Sequence, residues 1–230
     1  TCTAMLASIF SAAGRRFSAH IGGYSLQFSN FCAFGNDWFI TEACEYKKNF
    51  LSLRADTAVV LSTDPDHLEC YNSADDLYCC YRKFAARAEC AVVPQDRLSA
   101  EIDNAVTFGG GRGADFRATE LECREGAYSF TLSAFGKERG DIGLKVLGKH
   151  NVFNALAAAA AASAEGIDFS CIVRGLEEFE GVERRMQLLG SYGGARCVAD
   201  YAHHPAEISA ALKTASKITE GRLFVVFQPH

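Results

Sequence analysis

Apolar positions recur at helical spacing from the first residues: Met5, Leu6, Ile9, Phe10 and Ala13, with Gly14 as the stop. Trp38-Phe39-Ile40 predicts a short strand ending at Thr41-Glu42. Thr57 to Leu61 predicts a second, running out into Ser62-Thr63-Asp64-Pro65-Asp66-His67. Ser73 with Asp76 three positions on has the pattern of a capping box and opens a helix to about Ala88. Cys90 to Val93 predicts a third strand, stopped by Pro94. Strands alternating with helices predict a parallel sheet covered on both faces, an α/β fold.

The pattern changes near Ala105. Four β-like runs follow: Ala105 to Phe108, Phe116 to Cys123, Tyr128 to Phe135 and Ile142 to Leu147. Glycine-rich turns separate them, which predicts an antiparallel patch appended to the parallel sheet. Helical patterns return at His150 to Ala164, closed by Gly166, and at Ser170 to Phe179, closed by Gly181. Strand signals at Gln187 to Leu189 and Arg196 to Ala199 precede a helix with Pro205 near its first position. Leu223 to Phe227 then predicts a buried strand. The β-α-β unit after about Arg185 reads as the start of a second α/β domain. The chain opens inside the first turn of a helix and stops just after a strand, so both ends are expected to be cut.

Composition narrows the function. The 230 residues are 49% hydrophobic and 22% charged, with a net charge of -5, which argues against nonspecific nucleic-acid binding. The apolar run Ala155 to Ala162 is far too short to span a bilayer, and no secretory leader opens the chain, so no membrane partner is expected. Ten cysteines are scattered without a C-x-x-C pair. They are expected to be reduced cytosolic thiols, mostly small buried residues.

Four clusters could carry chemistry. Glu42, with Glu45 nearby, and His67 follow strand ends, where open parallel sheets bind ligands. A carboxylate and an imidazole there could hold Mg²⁺ beside a nucleotide; on spacing alone, solvated loop acids at Glu42 and Glu45 and a turn or capping residue at His67 are the simpler reading. His150, Asn151 and Asn154 share one end of a helix, and an Asn amide can meet an adenine edge or simply cap the helix. Arg184-Arg185 could neutralise phosphate or form a solvated linker. Asp200-Tyr201-Ala202-His203-His204-Pro205 is the densest polar cluster and sits at a strand-to-helix junction, where a helix N-terminus favours an anion. Zinc binding by its two histidines lacks a matched second pair of ligands.

An ordered set of segments carries a family resemblance. They are Thr1-Cys2-Thr3-Ala4-Met5, Thr41-Glu42-Ala43-Cys44-Glu45-Tyr46 with Asn49-Phe50-Leu51, Asp64-Pro65-Asp66-His67, and Gly148-Lys149-His150-Asn151-Val152-Phe153-Asn154-Ala155. Gly181-Val182-Glu183-Arg184-Arg185, the Asp200 to Glu207 stretch, and Val226-Phe227-Gln228-Pro229-His230 complete it. The chain resembles the Mur ligases of peptidoglycan synthesis, most closely the branch that adds L-alanine, with the muropeptide-recycling branch next.

The resemblance implies a central parallel-sheet ATPase domain over residues 1–185 and the beginning of a Rossmann-like C-terminal domain over 186–230. It implies ATP and Mg²⁺ as cofactors, UDP-N-acetylmuramate and L-alanine as partners, and a cytoplasmic setting. Glu42 and His67 would be metal ligands. Thr1, His150, Asn151, Asn154 and Arg184 would face the nucleotide. Asp200, His203 and Arg185 would act at the reacting centre, and Tyr201 and His204 on substrate. Of the family's phosphate loop only its last Thr, matching Thr1, is present, and Cys44 stands where many members carry Asp. The chain is therefore expected to be inactive by itself, with a non-catalytic nucleotide-binding remnant as the alternative.

Overall fold

The computed structural model describes residues 1–103 and 105–228. Helix α1 (Cys2–Ala12) is followed by strands β1 (Phe17–Ser25), β2 (Ser29–Ala33) and β3 (Trp38–Thr41). Strand β4 (Thr57–Val59), helix α2 (Ala74–Ala85) and strands β5 (Cys90–Pro94) and β6 (Val106–Phe108) come next. Strands β7 (Phe116–Arg124), β8 (Ala127–Ala134) and β9 (Lys137–Leu147) precede helices α3 (His150–Ala164) and α4 (Phe169–Glu178). A hairpin of β10 (Gln187–Tyr192) and β11 (Ala195–Ala199) leads to helix α5 (Pro205–Lys217).

The main sheet has six strands in the order β4-β5-β6-β7-β8-β9, and a three-stranded sheet has the order β2-β1-β3. β4 to β7 pair in parallel, while β7-β8 and β8-β9 are antiparallel. The α/β class and the appended antiparallel patch are therefore present. The patch starts one strand later than expected, because β6 pairs in parallel with β5 through Val92 and Val106. The turn glycines after β6 suggested antiparallel pairing, whereas β6 pairs in parallel with both β5 and β7.

Side chains alternate across the main sheet. Val92 points into a core shared with α1, α3 and α4, whereas Ala91 and Val93 join Leu77, Tyr81 and Phe84 of α2 on the other face. The alanines from Ala155 to Ala162 are all buried, so α3 packs closely against neighbours on several sides. α1 and α4 approach closer still: Ser8 Oγ donates to the Gly175 carbonyl at 2.7 Å. Ser73 caps α2 by accepting from the Asp76 amide at 3.1 Å. The return half of the box is redirected: the Asp76 carboxylate takes the Asn72 amide and Lys48 Nζ, the latter at 2.9 Å.

Several expectations are corrected. β1 and β2 were not anticipated, because Gly22-Gly23 breaks the alternation begun by Phe17, Ala19 and Ile21. Leu223 to Phe227 joins no sheet among the described residues, and Val226 is fully exposed. An apolar run reads as buried, but a strand needs a ladder partner, and the β10-β11 hairpin does not pair with it. The expected β-α-β unit is thus a hairpin, a helix and an extended segment. All ten cysteines are free, but only Cys2 and Cys80 are buried; five are half-buried, and Cys44, Cys123 and Cys197 are exposed. Pro229 and His230, which end the last motif, lie outside the described residues.

Candidate functional site

β3 delivers Glu42 just past its last residue. Glu42 lies over β1, so close to Gly22 that a Cβ there would strike its carboxylate. Thr1 forms the N-cap of α1 and lies within electrostatic reach of Glu42 and Arg185.

His67 stands elsewhere on the rim. Its backbone is left-handed, with φ of 50°. Its amide donates to Asp66 Oδ1 at 2.7 Å, and its ring meets Tyr46 edge-on at 5.3 Å. Nε2 lies 3.9 Å from Glu45 Oε1. Glu45, Asp66 and His67 bring ligand atoms within 4.8 Å of one another. Glu42 is outside that group, so the structure pairs His67 with Glu45 rather than with Glu42. Two carboxylates suit a hard cation such as Mg²⁺, which keeps water or phosphate oxygens in its remaining positions. Sequence spacing had marked Glu45 only as a neighbour of Glu42; Asp66 had no signal beyond its place in the Asp64 to His67 motif.

At the start of α3 the N-cap is Lys149, so Asn151 lies inside the helix and does not cap it. Asn151 Nδ2 donates to the Leu147 carbonyl at 2.8 Å, and its Oδ1 accepts from Asn154 Nδ2 at 3.0 Å. The buried Asn151 therefore orients Asn154, which is half-exposed. His150 Nδ1 is buried without a partner among the described residues. A groove of about 1060 Å³ separates this helix start from α5; His150, Tyr128, Pro205 and Lys217 help to line it. Lys217 Nζ crosses it to donate to the Tyr128 hydroxyl at 2.7 Å.

The last cluster is built around Asp200. Its carboxylate accepts the Met186 amide and the Ala202 amide, each at 2.8 Å. The Tyr201 amide donates to the Arg184 carbonyl at 2.7 Å. Arg184 and Arg185 then lie over the Tyr201 ring at 5.2 and 6.0 Å. Arg185 also approaches Glu207 at 3.6 Å. His203 Nδ1 lies 3.2 Å from the Tyr201 carbonyl, and the Glu207 carboxylate accepts the His203 amide at 3.3 Å. His204 is the N-cap of α5, its Nδ1 accepting from the Ala206 amide at 3.4 Å. Arg184, Arg185, Asp200, Tyr201 and His203 are thus gathered at one junction.

Burial holds the His150 imidazole below its usual 6.5; Asp200 and Glu207 oppose the shift and Arg185 reinforces it. The unfolded chain takes up this proton more readily than the folded one. Stability is therefore full above about pH 6.5 and declines as pH falls through that value toward the lowered folded pKa. Urea midpoints measured from about pH 7.5 to about pH 5.5 should fall more steeply for the unsubstituted chain than for His150→Gln. Equal slopes would remove His150 as the source.

Comparison with known proteins places the chain. Residues 1–162 match the model of the Mur ligase middle domain, and residues 184–230 that of the Mur ligase glutamate ligase domain. The UDP-N-acetylmuramate–L-alanine ligase of Caldicellulosiruptor bescii is 33% identical over 241 residues, covering 100% of this chain and 53% of that protein. Its counterpart from Clostridium acetobutylicum is 37% identical over 212 residues, covering 87% of this chain and 46% of that protein. The crystal structure of the UDP-N-acetylmuramate-alanine ligase of Thermotoga maritima superposes with a TM-score of 0.83 at 28% identity, covering 96% of this chain and 52% of that one. The murein peptide ligase of Psychrobacter arcticus shares the fold, with a TM-score of 0.72 at 24% identity, covering 96% and 53%. The chain spans about half the length of the curated relatives it matches. Matched by both family models and by relatives at 33–37% identity, the chain belongs to the Mur ligase family.

Proposed function

We propose that this chain is the central ATP-binding part and the beginning of the C-terminal part of a ligase that joins L-alanine to the carboxylate of UDP-N-acetylmuramate in the cytoplasm. The division falls between Arg185 and Met186. The observation that carries the reading is the gathering of Arg184, Arg185, Asp200, Tyr201 and His203 at one junction, together with the strand-end groups Glu42 and His67.

A carboxylate does not condense with an amine until it is activated. Transfer of the γ-phosphoryl group of ATP would give an acyl phosphate, which the amine of L-alanine attacks with loss of phosphate. Such chemistry depends on positioning and charge neutralisation more than on covalent help from the protein. Arg185 and Arg184, held over Tyr201, place positive charge where phosphate oxygens would lie. Asp200 fixes the backbone that carries them. Asn154, oriented by Asn151, and the neighbouring His150 offer polar edges to adenine, and Thr1 lies at the phosphate end. Tyr201 and His204 would face the muramoyl and amino-acid groups. Glu42 and His67, with Glu45 and Asp66 beside His67, would hold Mg²⁺, which neutralises phosphate charge when bound.

A chimera tests this. The matching segment of the Thermotoga maritima ligase is replaced by this chain. Phosphate release from ATP is then measured with UDP-N-acetylmuramate and L-alanine. A folded chimera should turn over with L-alanine and lose about a hundredfold or more on Arg185→Ala. Turnover with an L-alanine-containing murein peptide and not with free L-alanine would replace this reading by the recycling one. A folded chimera that binds ATP without any turnover would favour a non-catalytic remnant.

A further inference from the structure

Glu165 is a half-buried acid at the C-terminal end of α3, where the helix dipole disfavours negative charge. Its carboxylate is nevertheless held from two sides. Thr57 Oγ1, at the first residue of β4, donates to Oε1 at 2.6 Å. Trp38 Nε1, at the first residue of β3, donates to Oε2 at 3.2 Å. Arg15 closes the group: its guanidinium lies 4.9 Å from the Trp38 ring centre and donates to the Gly166 carbonyl at 3.0 Å.

β3 and β4 belong to different sheets and share no ladder among the described residues. β3 is an edge strand of its sheet, paired only with β1 among the described residues. It is four residues long, so its clamped start lies about 13 Å from Glu42 at its far end. β4 ends at Val59, and the chain reaches His67 eight residues later. One carboxylate thus ties together the starts of the two strands that lead into Glu42 and toward His67.

We propose that Glu165 is a positioning residue for the cation site: it sets the spacing between the strand that leads through Glu42 to Glu45 and the strand that leads to Asp66 and His67. This inference rests on the metal assignment above. Groups that orient ligands from behind matter to affinity, and losing one typically weakens metal binding about tenfold or more.

Mn²⁺ serves as the probe, with the free ion counted by electron paramagnetic resonance in the presence of the whole chain. Trp38 is the single tryptophan, so its emission reports whether the bridge is intact. Glu165→Ala should shift that emission and weaken Mn²⁺ binding about tenfold. Thr57→Val, which keeps the side-chain size and removes one donor, should weaken binding in the same direction and stands in if Glu165→Ala does not fold. The Glu165→Ala and Thr57→Val effects should not add, because they break one contact. Leu176→Ala, a core truncation in α4, should lower the melting temperature and leave Mn²⁺ affinity unchanged. Glu42→Gln and His67→Gln are the direct controls.

If those two controls lose Mn²⁺ while Glu165→Ala and Thr57→Val retain full affinity, the positioning role is overturned and the metal assignment stands. If Leu176→Ala weakens binding as much as Glu165→Ala, Glu165 acts only through general stability and the inference also falls. If the unsubstituted chain binds no Mn²⁺, or the two controls change nothing, the metal assignment fails and takes this inference with it.

Discussion

Valine at position 175 should destabilise the chain by ~3 kcal/mol, the upper end of what overpacking usually costs. A Cβ on Gly175 would lie 2.5 Å from Ile9 Cα, 2.8 Å from the Ile9 nitrogen and 3.0 Å from the Ser8 carbonyl. These are backbone atoms of α1, so no rotamer change can relieve the collision. Relief requires moving α4 away from α1, which lengthens the Ser8-to-Gly175 hydrogen bond and opens the face around Ile9 and Ile172. Alanine meets the same first atom but gains ~1 kcal/mol of helix propensity, so its net cost is smaller. The order should be Gly175, then Ala, then Val, in urea midpoints measured with one slope. Equal midpoints for all three would mean that the helices separate freely and that the close approach carries no energy.

Asp200→Ala should be the more damaging change for activity. Its carboxylate satisfies two backbone amides, one on each side of the junction between Arg185 and the α5 turn. Removing it leaves the Met186 and Ala202 amides without that acceptor and frees the Arg184–Tyr201 stack to drift. A displacement of about 1 Å at reacting groups can cost about a hundredfold in rate. In the chimera described above, turnover is expected to fall by about that factor, while the melting temperature changes little. Amide hydrogen exchange should accelerate over residues 184–204 and not in α3. Asp200→Asn, whose one carbonyl oxygen can still accept, should retain more activity than Asp200→Ala. Full turnover by Asp200→Ala would remove the staple from the mechanism.

The legible parts of the fold were those where local chemistry and tertiary structure agree. Ser73, Gly14, Gly166 and Pro205 mark helix boundaries because their own backbone and side-chain preferences produce them. β5 and β8 are runs whose alternation or apolarity survives packing. β6 was assigned to the wrong kind of pairing, because nothing in Val106-Thr107-Phe108 encodes which neighbour it takes. β1 was hidden by Gly22, which is small because Glu42 lies over it; the residue that obscures the strand is the one that makes room for the acid.

Candidate site residues were legible as clusters but not as contacts. The resemblance named Glu42 and His67 together, whereas the backbone turn at His67 brings it to Glu45 and Asp66. Asn151 could be read as cap or ligand; its place one turn below Leu147 makes it an internal brace for Asn154. Glu165 carried no signal at all. An acid after an alanine-rich helix looks solvated, and only the meeting of β3, β4 and α3 gives it two donors.

The segment Leu223-Phe224-Val225-Val226-Phe227 has a further consequence. It is uncharged, rich in β-branched and aromatic residues, and free of proline. Its side chains face water, and its backbone groups belong to no ladder among the described residues. Those are the attributes of a cross-β seed, in which like segments from many chains stack and bury one another's faces. For the chain as given, association through this segment should rise with concentration.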